Sequence, residues 1–202
     1  MSLKLLMFVL PAYLVGAIPF GLLFARVITG KDPRQHGSGN IGATNAMRTG
    51  GKLVGILTLL ADIAKASIPV AFALHYANEL TAALVGVAAF VGHVYPVYLG
   101  FRGGKGVATM FGAVIPWQPW VALFSFAIWL LVLRLGRYVS VASIAAAVSL
   151  PVLAVVFDSS LPWLGACVVF AVISIAKHRS NLVRVAKGEE PKIGQGKKAR
   201  SV

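Results

Sequence analysis

Three glycines, two amides and two hydroxyls fall within nine residues, 37–45 (GSGNIGATN). Glycine allows positive φ and close backbone approach, and successive backbone N–H groups in such a loop form an anion-binding nest. Ser38, Asn40, Thr44 and Asn45 add side-chain donors, and Arg48 adds a charge four residues past Thr44. A short helix starting here would also turn its N-terminus toward a phosphate. A second cluster, residues 92–106 (GHVYPVYLGFRGGKG), brackets Gly103 and Gly104 with Arg102 and Lys105. A lysine among backbone donors is a usual phosphate holder. In a third, RYVSVAS (137–143), Ser140 and Ser143 stand one turn apart at a helix start. The fourth, KHRSN (177–181), is followed by Arg184, Gly188, Glu189 and Glu190. There His178 and Asn181 share a helix face. The chemistry common to all four is the holding of phosphate by backbone donors and cations.

Each cluster has a plainer reading. The glycine stretch could be only a flexible loop. Serines in membrane helices usually pack or bond locally. The fourth cluster could be a basic anchor beside the membrane, and His93 a packing histidine. His36 fits either role. Asp62 and Lys65, three apart in an apolar run, read first as a self-neutralising pair that ties helices together, since intramembrane charges are costly and default to paired or functional roles. Two familiar nucleotide patterns fail. Gly37, Gly39 and Gly42 match G-x-G-x-x-G with Asp62 twenty residues on, but that fingerprint needs a βαβ unit. Leu99 and Gly106 break the Walker A pattern. Acidic residues are too sparse and histidines too scattered for a metal site, and no cofactor is implied. Cys167 lies in an apolar run and reads as a small buried hydrophobe.

The elements that must position these clusters are membrane spans. Of 202 residues, 58% are hydrophobic and only 12% charged, against about 25% charged in a soluble domain. Mean hydropathy is +0.82. Apolar runs occupy 5–25, 53–75, 80–99, 107–133, 139–157 and 161–176. The first is too long for a signal peptide and lacks a cleavage site, so it reads as a retained span. The run 107–133 holds Pro116, Gln118 and Pro119 near its middle and is either one kinked span or a hairpin of two short ones. Charge decides. With a hairpin, 17 of the 19 Lys and Arg fall in loops on one side of the membrane; with one span, the asymmetry vanishes. Basic loops face the cytoplasm. The reading is therefore an all-α polytopic bundle of seven transmembrane helices, amino terminus outside and carboxyl terminus cytoplasmic, forming one domain over 1–202. Its tail, about 177–202, is basic and is expected to fray beyond Glu190. The net charge of +13 is thus mainly a topology signal, and nucleic acid is not an expected partner.

The four clusters, with GAIPFG (16–21), the Asp62–Lys65 pair followed by Pro69, GHVYPVYLGFRGGKGVAT (92–109) and HRSNLVRVAKGEE (178–190), run in order along nearly the whole chain. Together they resemble the bacterial acyl-phosphate:glycerol-3-phosphate acyltransferase family (PlsY-type). The resemblance implies a seven-span enzyme of the bacterial cytoplasmic (inner) membrane, working in phospholipid biosynthesis. It would transfer a fatty acyl group from acyl phosphate to glycerol 3-phosphate, giving lysophosphatidic acid and phosphate. Apart from the resemblance, the chain is expected to act as a monomer in the bilayer. The resemblance also places the acyl-phosphate phosphoryl group on the loop from Gly37 to Asn45. It lines the glycerol-3-phosphate site with Arg48, Lys105, Ser143, His178 and Asn181. Lys105, His178 and Asn181 are the expected catalytic residues, with Gly103 and Gly104 beside the lysine. The residues five past each histidine are Ile41, Leu80, Tyr98 and Val183, so the H-x4-D base of other glycerolipid acyltransferases is absent.

An acyl phosphate is already activated, so orientation and charge stabilisation are the main tasks. His178 is one candidate base. A substrate or leaving-phosphate oxygen is the preferred proton acceptor, because no acidic group is evident to orient His178. The rival reading is a transporter of a phosphorylated or lipid solute, which should show polarity across the whole bilayer and often an internal repeat. A scaffold without chemistry is the other.

Overall fold

A computed structural model describes residues 3–194, with the side chain of Lys4 excepted. Among them the chain forms ten α-helices and no strand: α1 Leu3–Gly16, α2 Phe20–Thr29, α3 Ala43–Gly50, α4 Lys52–Tyr76, α5 Glu79–Val94, α6 Val107–Val114, α7 Pro119–Gly136, α8 Val139–Val156, α9 Leu161–Lys177 and α10 Arg179–Ala186. A single 3-10 turn, Val97–Leu99, follows α5. Five stretches are long and apolar enough to cross a membrane: Leu5–Thr29, Lys52–Tyr76, Glu79–Leu99, Pro119–Gly136 and Val139–Val156. A sixth is α9 taken together with α10, bent by 52° at their junction.

The first span is broken at residues 17–19 rather than continuous to Ala25. Pro19, which has no backbone N–H to donate, caps α2 from outside the helix. The helix then runs four residues past the predicted end and closes on Gly30 in the left-handed conformation, whose N–H bonds Arg26 O.

The stretch 107–133 folds back on itself. Phe111 of α6 and Phe126 of α7 are 6.0 Å apart, ring to ring, whereas fifteen residues of straight helix would separate them by about 22 Å. The reversal uses residues 115–118, with Pro119 opening α7 where a missing N–H is harmless. Trp117 stacks on Trp163 of α9 at 4.2 Å, and Gln118 Nε2 donates to Phe157 O at 3.5 Å. This turn therefore lies level with the α8–α9 turn. The two arms are unequal. The eight residues of α6 rise about 12 Å and the eighteen of α7 about 27 Å. The loop before α6 is tucked into the bundle, with Gly103 and Gly104 lying against His93 of α5.

The core centres on α5, which packs against α1, α4, α6 and α9. Phe90 meets Phe170 edge to face at 5.0 Å. Small residues let backbones approach, as is usual between membrane helices: a Cβ on Gly16 would overlap the Ala89 backbone, and one on Gly112 the Ile63 carbonyl. Cys167 is fully buried. The tail departs from expectation as far as Gly194. Ile193 N donates to Arg137 O at 2.8 Å, and Arg137 Nη2 returns a bond to Ile193 O at 2.8 Å. The basic run at 197–200 lies outside the described residues.

Candidate active site

The glycine-rich stretch 37–45 is an ordered loop leading into α3. Its first half hangs on Asp32, whose carboxylate accepts from Arg34 Nε at 3.0 Å, Arg34 Nη2 at 2.7 Å and Arg26 Nη2 at 2.8 Å. The Arg34 guanidinium holds that carboxyl well below the usual carboxylate range against the opposing effect of burial, with Arg26 adding to it. The second half is organised by Asn45, only 2% exposed. Its Nδ2 lies 2.8 Å from Pro33 O and Asn40 O and 3.1 Å from His36 O, while Oδ1 accepts from Ser38 N at 2.8 Å. Asn45, expected as a donor to substrate, thus spends its amide on shaping the loop. Gly37 has φ 63° and no room for a Cβ, which would strike Asn45 Oδ1. Asn40 Oδ1 closes a turn onto Gly42 N at 2.8 Å, and α3 begins directly after Gly42. Thr44, in the first turn of α3, and Arg48 are exposed on the cavity. Arg48 has no hydrogen-bond partner among the described residues.

The second loop brings Lys105 to the same place. Gly106, at φ 80° and pressed against the Phe90 ring, turns the chain into α6. Lys105 Nζ donates to Asn181 Oδ1. Asn181 Nδ2 donates to Glu190 Oε1 at 2.6 Å. Glu190 also accepts from Ser140 Oγ at 2.7 Å and from Arg184 Nε at 2.8 Å. One buried carboxylate thereby gathers α8, α10 and, through Asn181, the lysine loop. Burial pushes the Glu190 carboxyl up, but the bonds from Asn181, Ser140 and Arg184 outweigh it and leave its pKa lowered.

His178 sits at the 52° bend between α9 and α10. Its Nδ1 lies 2.8 Å from Ser174 O. A carbonyl only accepts, so Nδ1 carries the proton and Nε2 keeps its lone pair. Ser143 donates to Val139 O at 2.7 Å and accepts from Trp129 Nε1 at 3.2 Å. It is Ser140, one turn earlier, that joins the Glu190 network.

These groups line one cavity of ≈ 1970 Å³, against about 300–1,000 Å³ for an ordinary small-molecule site. Gly37, Ser38, Asn40, Gly42, Thr44, Asn45, Arg48, Lys105, Ser143, His178 and Asn181 all lie on it. Gly39, Gly103 and Gly104 line a smaller adjoining pocket of ≈ 190 Å³ that shares Ser38, Asn40 and Lys105. All the sequence-predicted site residues are thus gathered in one region. Away from the polar end the larger cavity is walled by Leu59, Ile63, Phe111, Ile115, Leu123 and Phe126, an apolar limb between α4, α6 and α7. Asp62 and His93 also reach it. Glu190 and Arg184 were not among the expected site residues. The signal available was that Glu189 and Glu190 are the only acids after Asp158, set in a strongly basic tail. Among the described residues no group of three or more His, Cys, Asp or Glu stands within reach of one metal ion.

The arrangement can hold two anionic head groups beside an imidazole, with an apolar chain lying in the adjoining limb. Residues 6–188 match the family described as glycerol-3-phosphate acyltransferase. A glycerol-3-phosphate acyltransferase of Caulobacter vibrioides is 45% identical over 189 residues, 93% of this chain and 87% of that relative. Two solved structures are similar, both of PlsY, an integral membrane glycerol 3-phosphate acyltransferase. Its glycerol 3-phosphate form superposes with a TM-score of 0.91 at 40% identity. Its lysophosphatidic acid form gives 0.89 at 39%. Each comparison covers 95% of this chain and 96% of the other.

Proposed function

The chain belongs to the glycerol-3-phosphate acyltransferase family, and from that premise we propose that it uses acyl phosphate as donor and performs the transfer in the cavity beneath Lys105. It is a multi-pass enzyme of the bacterial inner membrane that acylates glycerol 3-phosphate to lysophosphatidic acid in phospholipid biosynthesis. The observation that carries the donor assignment is the pairing of two glycine loops with an apolar limb. One loop and the N-terminus of α3 suit a phosphoryl group. Lys105 and Arg48 suit a second, and the limb suits an acyl chain.

In this reading the hydroxyl oxygen of glycerol 3-phosphate attacks the acyl carbon. The carbon–oxygen bond to phosphate breaks, and inorganic phosphate leaves. In the loop holding Gly37, Ser38, Gly39, Asn40 and Gly42, the N–H groups of Ser38, Gly39 and Gly42 are bonded within the loop, so the N–H groups of Gly37 and Asn40, those at the start of α3 and the Ser38 and Thr44 hydroxyls are the donors to the phosphoryl group. Gly103 and Gly104 let the lysine loop approach closely. Lys105, fixed by Asn181, balances charge building on the leaving phosphate and on the second substrate, a term that in other enzymes amounts to about 10²–10³ in kcat per donor removed. Arg48 and Ser143 complete the glycerol-3-phosphate side. His178 Nε2 accepts the hydroxyl's hydrogen bond and orients it. Its Nδ1 is held by the Ser174 carbonyl and not by a carboxylate, so nothing strengthens it as a base, and the proton passes to an oxygen of the departing phosphate.

We further propose seven traverses in one domain acting as a monomer, with the amino terminus outside and the carboxyl terminus cytoplasmic. The seventh is α6 completed by the loop before it. This puts the mouth of the cavity, with Lys31, Arg48 and Arg184 around it, on the cytoplasmic side in accord with the distribution of basic loops.

The test is direct. Purified protein in detergent or lipid, given acyl phosphate and glycerol 3-phosphate, should release lysophosphatidic acid and phosphate in equal amounts. Product formed only from an acyl thioester, with acyl phosphate inert, would overturn the donor assignment.

A further inference from the structure

Beneath the lysine loop lie three polar side chains that the mechanism above does not use. Asp62 and Lys65, from α4, and His93, from α5, are 2%, 4% and 3% exposed. Lys65 Nζ stands 2.8 Å from Asp62 Oδ1 and 2.9 Å from His93 Nδ1, and it donates to Ile18 O at 3.1 Å in the break between α1 and α2. Asp62 Oδ1 is 3.6 Å from His93 Nδ1. A paired ammonium has only donors to offer, so Nδ1 accepts and the ring proton is on Nε2. That edge of the ring faces the loop. A Cβ on Gly104 would collide with His93 Nε2, and one on Gly103 with His93 O. Gly104 N donates to that same carbonyl at 3.1 Å. The loop is thus seated on His93 by a backbone bond and by ring contact, immediately before Lys105.

We propose that Asp62, Lys65 and His93 are positioning residues for Lys105. The ion pair fixes the imidazole, and the imidazole sets the height at which the glycine loop presents the ammonium to substrate. Helix cohesion alone does not call for this arrangement, since well-packed apolar side chains hold buried helices together as well as an ion pair does or better. Two of the three, Asp62 and His93, also line the cavity itself, which places the device at the floor of the site.

The proposal rests on the assignment of Lys105 to the site, and the experiment separates the two. The kinetic parameters for glycerol 3-phosphate are measured for the wild type, His93→Gln, Lys105→Arg and the double variant, with thermal unfolding in detergent as a check on folding. Asp62→Asn, nearly isosteric, carries the same cycle if His93→Gln does not fold. Positioning predicts that His93→Gln lowers kcat/KM about tenfold, mostly through KM for glycerol 3-phosphate, in the wild-type background. It predicts less than about threefold in the Lys105→Arg background, because coupled residues are not additive. Equal losses in both backgrounds would mark a structural role and overturn the proposal, as would wild-type kinetics in folded His93→Gln or Asp62→Asn. A folded Lys105→Ala enzyme indistinguishable from wild type would instead remove Lys105 from the site.

Discussion

Lys105 and Asn181, 76 positions apart, are joined by a hydrogen bond from the lysine ammonium to the asparagine amide oxygen. That contact brings the loop after α5 to the bend after α9. The asparagine's other amide group is held by Glu190, so the ammonium is aimed by a relay that ends on a carboxylate. The consequences of that relay are open to measurement.

Replacing Glu190 by Gln should destabilise the protein and loosen the lysine. Ser140, Asn181 and Arg184 all donate to this carboxylate. Removing one partner of a buried ion pair costs about 3–5 kcal/mol, and less is expected here because the Arg184 side chain is 37% exposed. The carboxyl's folded pKa lies below its ordinary 4.5. Its contribution is therefore complete above pH 4.5 and is lost as pH falls through the folded value. Thermal unfolding in detergent at pH 7 and at successively lower pH should show the variant's deficit shrinking on acidification. A deficit that does not change with pH would contradict this.

Lys105 should act through its charge. Lys105→Arg, which keeps a fixed positive charge, should retain clearly more phosphate release than Lys105→Ala at the same pH. Equal losses in the two variants would show that something other than the charge matters at this position.

Topology can be read by labelling. Cys167 is buried, so single cysteines introduced at exposed positions report their own side of the membrane. Gln35→Cys and Arg102→Cys should react with an impermeant thiol reagent from the cytoplasmic face, and Glu79→Cys from the opposite face. Gln35 and Arg102 reacting from different faces would break the cavity apart.

Much of this could be read from the sequence, for physical reasons. A run such as 53–75 must span because its length and apolarity fit a bilayer, and α4 covers it with one residue to spare at each end. The reversal at Pro116–Pro119 followed from where the arginines and lysines fall. What composition did not reveal was the full length of the second hairpin arm: α6 begins at Val107, where the apolar run begins, but α7 continues past Leu133 through Arg134 to Gly136, because a charged side chain at a helix end does not stop the helix. The phosphate-binding clusters were legible because glycine, hydroxyl and cation together have few other uses. Glu190 was not, because a carboxylate in a basic tail looks solvated until the chain folds back across Arg137 and Ser140. Asn45 looked like a substrate donor because nothing local shows that its amide is consumed by Pro33, His36, Ser38 and Asn40. The choice of Ser140 over Ser143 as the serine that meets Glu190 likewise depends on helix rotation, which two serines one turn apart do not specify.

The central claim is that a single ammonium, delivered into the bundle by a glycine loop, is needed for acyl transfer. Phosphate release from acyl phosphate and glycerol 3-phosphate by purified Lys105→Ala, with its unfolding temperature measured alongside, tests it most directly. The expected result is a folded protein whose turnover is reduced by about 10²–10³. A folded variant turning over at the wild-type rate would contradict it.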